Sequence, residues 1–348
     1  MNGRRFLLAT ASLALGATAA VVAVEIGLRL FSLAPHAGIF TVNEEEFSRV
    51  PGLFAPGQQI TDRRIPALPH AVRIDSFGYR GPDFPLSKKP GERRVLAVGD
   101  SFTFGDFVDD EETVPAQIEK QLSRACRQPV TVVNAGVGGT TITTHIEMLR
   151  RGWVTGPDVV VLNFTENDIT DLKTDMWNQF AENRKAKSRF PLSVTYPVLR
   201  RSAIWHFALN LRGRFRAGTE PVIGGDSSGG DPGIELQALR AEYRRSFRGF
   251  VEEVRSRGRD LVLFAAPSHL TTGGMIEDAH SKWLEEIATE SGVELVNLLH
   301  VFRASGLPVD SLYLLPHDGH ASPRGNALAG RAVAAQLVER GFCEGAVR

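Results

Sequence analysis

Val95-Leu96-Ala97-Val98-Gly99-Asp100-Ser101-Phe102-Thr103-Phe104-Gly105 passes from an unbroken apolar run into a glycine, a carboxylate and a serine. Apolar residues without polar alternation read as a short strand buried on both faces. A serine just beyond such a strand stands where open parallel sheets bind their ligands, past the carboxyl ends. Gly99 lets the backbone turn sharply there and lets a substrate approach. Working outward, similar runs recur at Val130–Val133, Val159–Phe164, Leu261–Ala265 and Val293–Leu298. Helical stretches near 113–127, 141–153, 236–257, 278–291 and 323–340 separate or follow them. Short buried strands alternating with helices predict an α/β fold, a three-layer α/β/α sandwich around a central parallel sheet of about five strands.

The composition narrows the class. Among 348 residues, 43% are hydrophobic and 23% charged, which excludes disordered and fibrous chains. Two cysteines exclude a disulfide-dense scaffold and a cysteine-based zinc finger. Forty Lys+Arg balance forty Asp+Glu, which argues against a nucleic-acid partner. Arg4 and Arg5 precede an uncharged run from Phe6 to Val24, ended by Glu25. Its length is close to the roughly 20 residues of a bilayer-spanning helix. The basic flank predicts a cytoplasmic start, with the rest of the chain across the inner membrane. Ala17-Thr18-Ala19 offers the alternative of a cleaved signal peptide and a secreted product. Either way the globular part is exported, so a bacterial cell envelope is the expected setting.

The expected organisation is an anchor or signal segment over 1–33, a lead-in over 34–90 that wraps the domain, and a catalytic-type domain over 91–348. The α/β alternation breaks between 171 and 235, too long for an ordinary connection. Between Lys173 and Arg216 ten Lys/Arg face only Asp175 and Glu182, with Trp177, Phe180, Phe190, Tyr196, Trp205, Phe207 and Phe215 interleaved. This reads as a basic, cap-like insertion that packs on the main domain or meets an anionic lipid or glycan surface.

A serine hydroxyl is a poor nucleophile until a base takes its proton. The loop Leu315-Pro316-His317-Asp318-Gly319-His320 follows the last expected strand and precedes the last helix. There His320 can serve as base and Asp318 can orient its ring. An oxyanion needs donors. Gly139, in Asn134-Ala135-Gly136-Val137-Gly138-Gly139-Thr140, and the amide of Asn167, in Thr165-Glu166-Asn167-Asp168, are candidates at intermediate strand ends.

Taken together, Gly99-Asp100-Ser101, Gly139, Asn167-Asp168 and Asp318/His320 resemble the four blocks of the SGNH hydrolases, also called GDSL esterases/lipases, in the family's order over roughly 93–341. The resemblance implies that Ser101 attacks an ester carbonyl, His320 shuttles the proton and Asp318 orients His320. It also implies an oxyanion hole from the N–H groups of Ser101 and Gly139 and the Asn167 amide, with no cofactor. Asp75-Ser76-Phe77-Gly78-Tyr79-Arg80-Gly81 and the Glu25…Leu28-Arg29 ending of the anchor look like those of envelope-anchored members. The Asp-x-His spacing, one residue shorter than the commonest pattern, is similar to polysaccharide O-acetylation proteins of the envelope. Thr165-Glu166 departs from the usual Gly-x before Asn-Asp and would put a carboxylate near the oxyanion hole.

Cys126, after the first helix that follows the nucleophile strand, and Cys343, after the last helix, are a candidate disulfide of an exported domain. No metal constellation stands out beyond His317, Asp318 and His320. The expected activity is hydrolysis of an O-acyl, for instance acetyl, ester of an envelope glycan or glycolipid. An O-acyltransferase with the same residues, a long-chain lipase or thioesterase, and a non-catalytic module binding anionic glycan or lipid are the alternatives. Oligomeric state is not legible.

Overall fold

The computed structural model describes residues 3–31, 50–175, 189–199, 201–208, 211, 232–278 and 280–344. In chain order the strands are β1 (Gln59–Asp62), β2 (His70–Arg73), β3 (Arg93–Gly99), β4 (Val130–Gly136), β5 (Val159–Thr165), β6 (Asp260–Ala266) and β7 (Glu294–Asn297). The main helices are α1 (Gly3–Leu30), α2 (Val114–Ala125), α3 (Ile142–Gly152), α4 (Leu192–Leu199), α5 (Pro232–Ser256), α6 (Ser281–Glu290), α7 (Leu298–Ala304) and α8 (Pro323–Glu339).

Strands β3 to β7 form one parallel sheet in the order β4-β3-β5-β6-β7. The register pairs Gly99 with Gly136 across β3/β4 and Val95 with Val159 across β3/β5. Every residue of β5 is buried, as expected of a strand with helices over both faces. On one face Leu96, Val98, Leu162, Phe164 and Leu263 pack against α3, α5 and α6. On the other, Val95, Val159, Val161, Val262 and Phe264 pack against α2, α7 and α8. The order of strands reverses between β3 and β5, so the crevice at their carboxyl ends is the topological switch point. This is the expected α/β sandwich. The last expected strand is one residue shorter at each end, because Leu298 already opens α7.

Helix α2 begins at Thr113, whose Oγ1 accepts a hydrogen bond from the Ala116 N–H at 3.3 Å. Val114, Ile118 and Leu122 are spaced by four and buried toward the core shared with α8. Cys126 ends α2 and forms a disulfide with Cys343, with Cα atoms 4.9 Å apart.

The chain forms two compact units, one of residues 1–38, 62–64 and 184–228, the other of the remainder, which contains the parallel sheet. In the first, α1 contains an apolar stretch Leu8–Leu30, long and apolar enough to cross a membrane. Glu25 at its carboxyl end accepts from Ser202 Oγ (2.9 Å), Ala203 N (2.7 Å) and Ile204 N (3.0 Å), and Leu28 packs with Ala203 and Ile204. Of the expected lead-in, 34–49 lies outside the described residues. So do 176–188, 200, 209–210 and 212–231 of the expected insertion, including Trp177, Phe180 and Phe215.

Candidate active site

Ser101 opens a single helical turn, Ser101–Phe104, directly after β3. Asp100 caps that turn: its Oδ1 accepts from Phe102 N at 3.0 Å. The neighbouring strand must come close enough to support it. A Cβ on Gly136 would lie 2.2 Å from Phe104 N, so only glycine fits at the end of β4. Val137 N then donates to Gly99 O at 2.9 Å, tying the loop after β4 to the strand that carries the serine.

The opposite wall is the loop before α8. Tyr313 bridges Ala321, Leu314 N donates to His320 O (2.9 Å), and Ser322 Oγ caps α8 by accepting from Gly325 N (3.2 Å). These bonds fix His320 between two anchored points. Its Nε2 lies 2.8 Å from Ser101 Oγ and its Nδ1 lies 2.5 Å from Asp318 Oδ1. Asp318 Oδ1 also accepts from the His320 N–H at 2.7 Å. With Nδ1–H donated to the carboxylate, Nε2 is left as the acceptor of the serine proton. The ring facing Ser101 belongs to His320, not His317. Phe102 and Phe107 contact the imidazole with centroids at 5.3 and 5.5 Å. Burial disfavours the charged imidazolium, but the hydrogen bond donated to Asp318 and the charges of Asp106, Asp318 and Asp100 outweigh it. The net effect raises the pKa of His320 above its ordinary value.

The structure places the remaining sequence candidates less uniformly. Gly138 adjoins Ser101: a Cβ there would lie 3.7 Å from Ser101 Cβ. Gly139 follows with φ +70°, in the left-handed region that favours glycine. Asn167 sits on the turn Glu166–Asp168 after β5, and its Nδ2 donates to Asp171 Oδ2 at 2.7 Å. An amide carries two N–H hydrogens, so one remains for another acceptor. Glu166 accepts from Ser268 N (3.2 Å), which commits this carboxylate to the segment after β6.

The parts played by Thr165 and His145 beside the site escaped sequence reading. Thr165 Oγ1 lies 2.7 Å from Asp100 Oδ2 and 3.3 Å from Asp168 Oδ1, linking the nucleophile block to the Asn-Asp block. Burial, and then the charge of Asp100, pushes the Asp168 carboxyl well above the usual range. A neutral Asp168 can donate to Thr165 Oγ1, which donates to Asp100, so each buried oxygen has a consistent role. His145 is wholly buried and held neutral, its pKa lowered to about 3 by burial. Its Nε2 lies 3.2 Å from Thr140 Oγ1, which itself donates to Val137 O (2.6 Å), bracing the Gly138-Gly139 turn. Burial and side-chain contacts in the folded chain reveal these roles; the local text at 145 reads as a helix face. Among the described residues no group of three or more His, Cys, Asp or Glu could hold a metal ion.

Residues 97–328, well over half of the chain and including all four blocks, match the model of the GDSL-like lipase/acylhydrolase family. The chain belongs to this family. Its reaction class is therefore ester hydrolysis. Comparison with curated proteins finds no match. Among solved structures, this acylhydrolase is similar to the lipase/acylhydrolase from Enterococcus faecalis, at 15% identity and TM-score 0.42, covering 71% of this chain and 96% of that one. It is also similar to the acetylxylan esterase Axe2 from Geobacillus stearothermophilus, at 17% identity and TM-score 0.39, covering 72% of this chain and 94% of that one.

Proposed function

We propose that this GDSL-like acylhydrolase is a membrane-anchored serine esterase of the bacterial envelope. In this reading it removes an O-acyl group, such as acetyl, from a cell-envelope glycan or glycolipid. The observation that carries the catalytic part is the chain Asp318–His320–Ser101, with 2.5 and 2.8 Å between successive partners. Ser101 Oγ attacks the ester carbonyl as its proton passes to His320 Nε2. The Ser101 and Gly139 N–H groups and the free hydrogen of the Asn167 amide receive the developing oxyanion. Collapse breaks the C–O bond, His320 returns the proton to the leaving alkoxide, and an acyl-enzyme remains on Ser101. Water, deprotonated by His320, then releases the acid.

The Leu8–Leu30 stretch supports anchoring, and the disulfide supports an oxidising compartment. The short Asp-x-His spacing favours one second reading, in which a sugar hydroxyl replaces water and the enzyme transfers the acyl group. The test is labelling of the full-length protein, in detergent, with a fluorescent fluorophosphonate. The parent should label, and Ser101→Ala and His320→Ala should not. A folded parent that stays unlabelled would remove the serine-esterase reading. Release of acetate in water, compared with transfer to an added oligosaccharide, then separates hydrolase from transferase.

A further inference from the structure

The stretch Asp75–Gly81, singled out in the sequence, has no place in the chemistry above. Asp75 Oδ1 accepts from Phe77 N (2.8 Å) and Tyr79 N (2.9 Å), and Gly78 N donates to Asp75 O (3.3 Å). This tight turn presents Arg80 to the end of β4, where Arg80 N donates to Asn134 O at 3.3 Å. The Arg80 side chain then runs inward and is buried, with 4% of the residue exposed.

A buried guanidinium needs acceptors for its donors, and here nearly all come from one loop. Nη1 donates to Phe104 O (3.0 Å) and Gly105 O (2.5 Å), and Nη2 donates to Val108 O (2.6 Å). Nε donates to Asp110 Oδ1 (3.0 Å), and the guanidinium lies over the Phe104 ring at 4.7 Å. The loop gripped in this way follows the Ser101 turn and carries Asp106 and Phe107. Phe107 has φ +66°, alone among the described non-glycine residues in being positive. A bulky residue in that region is strained and persists only where the surroundings dictate it. Carbonyls held by Arg80 lie on both sides of it in sequence, Gly105 and Val108. The ring so placed contacts His320 at 5.5 Å, while Phe102 contacts it at 5.3 Å. The same loop keeps Asp106 beside Gly138, whose added Cβ would lie 3.4 Å from Asp106 Oδ2.

We propose that Arg80 is a positioning residue of the active site: it clamps the 104–108 loop in the conformation that holds Phe107 against the His320 ring. The lead-in thereby becomes part of the catalytic apparatus. The inference rests on the esterase reading above. It also gives the turn at 75–81 a purpose, since a lysine could offer only a point charge where a planar fork meets three carbonyls.

The experiment uses the full-length protein in detergent with p-nitrophenyl acetate. Competent serines are counted by fluorophosphonate titration, so that kcat is expressed per reactive site. Arg80→Ala should lower kcat about 10–100-fold, the scale of a small misplacement in a reacting pair, with KM little changed. Arg80→Lys should fall between Ala and the parent, and Phe107→Ala should reproduce the loss. Added guanidinium should restore part of the activity of Arg80→Ala and none of that of Phe107→Ala. The carboxylates facing His320 are Asp318, Asp106 and Asp100. A loosened loop withdraws Asp106, so the acid limb of kcat/KM for Arg80→Ala should move to lower pH. Parental kcat per titrated serine in Arg80→Ala, or in Arg80→Lys and Phe107→Ala if the alanine variant does not fold, would overturn the proposal whatever the melting temperature. A parent that neither labels nor turns over the ester overturns the esterase reading itself, and this proposal with it.

Discussion

At the scale of single residues the site is governed by the charge around one imidazole. His320 must be neutral to accept the serine proton, and its pKa is raised above the ordinary 6.5. The acid limb of kcat/KM should therefore lie above pH 6.5, with activity falling as pH drops through it. Asp106→Asn removes one of the negative charges that stabilise the imidazolium, so the limb should move to lower pH; an unmoved limb would place the charge elsewhere. The serine was legible because it directly follows a buried strand, and the histidine and its aspartate because they form a distinctive pair in the loop before the last helix. His145 and Thr165 were not: His145 acts through a buried contact with Thr140, and Thr165 through Asp100, 65 residues away.

At the scale of elements, the end of β4 and the turn before β3 decide how Ser101 is held. Gly136→Ala would place a methyl 2.2 Å from Phe104 N, a clash with backbone rather than with a flexible side chain. Overpacking of this kind costs about 1–3 kcal/mol. A lower melting temperature and a lower kcat per labelled serine should appear together. Asp75 lies in the turn that presents Arg80, and its carboxyl is raised to about 6, chiefly by burial. Between the unfolded value of 3.8 and about 6, the native state keeps a proton that the unfolded chain has lost. Stability from this group is thus greatest at low pH and declines as pH rises through about 6. Asp75→Asn keeps an acceptor for Phe77 and Tyr79 but never ionises. Its melting temperature relative to the parent should therefore improve from pH 4 to pH 8; a difference independent of pH would contradict the assignment. The five strands of the parallel sheet and helices α2, α3, α5, α6 and α8 were legible in place, with ends within four residues, whereas β1, β2 and α7 were not read. The strap from Asp75 to Gly81 read only as a resemblance, because its function depends on carbonyls of a loop some 25 residues further on.

For the whole molecule, the disulfide joins the ends of two helices that pack side by side on one face of the sheet. Cys126 and Cys343 are 217 residues apart, so the bond closes nearly the entire sandwich. The chain-entropy model assigns a loop of this size about 5 kcal/mol. Reduction, or Cys126→Ser with Cys343→Ser, should lower the melting temperature by many degrees. Fluorophosphonate labelling of the protein that remains folded should be unaffected, since Ser101 sits at the carboxyl ends of the strands. Loss of labelling at a temperature where the fold persists would show that the bond also shapes the site.

The sequence by itself determined the layered α/β architecture, the apolar N-terminal helix and the short list of reactive groups. Each follows from local chemistry: short apolar runs, a long uncharged stretch, and nucleophile, base and carboxylate types in the loops beside them. Only the tertiary structure decided which groups meet. It turned Glu166 toward Ser268, gave one hydrogen of the Asn167 amide to Asp171 and closed Arg80 on the 104–108 loop. Glu166 and Arg80 find partners far apart in sequence. Their selection comes from the demand that buried polar groups be satisfied in a close-packed interior, a condition that local residue order leaves open.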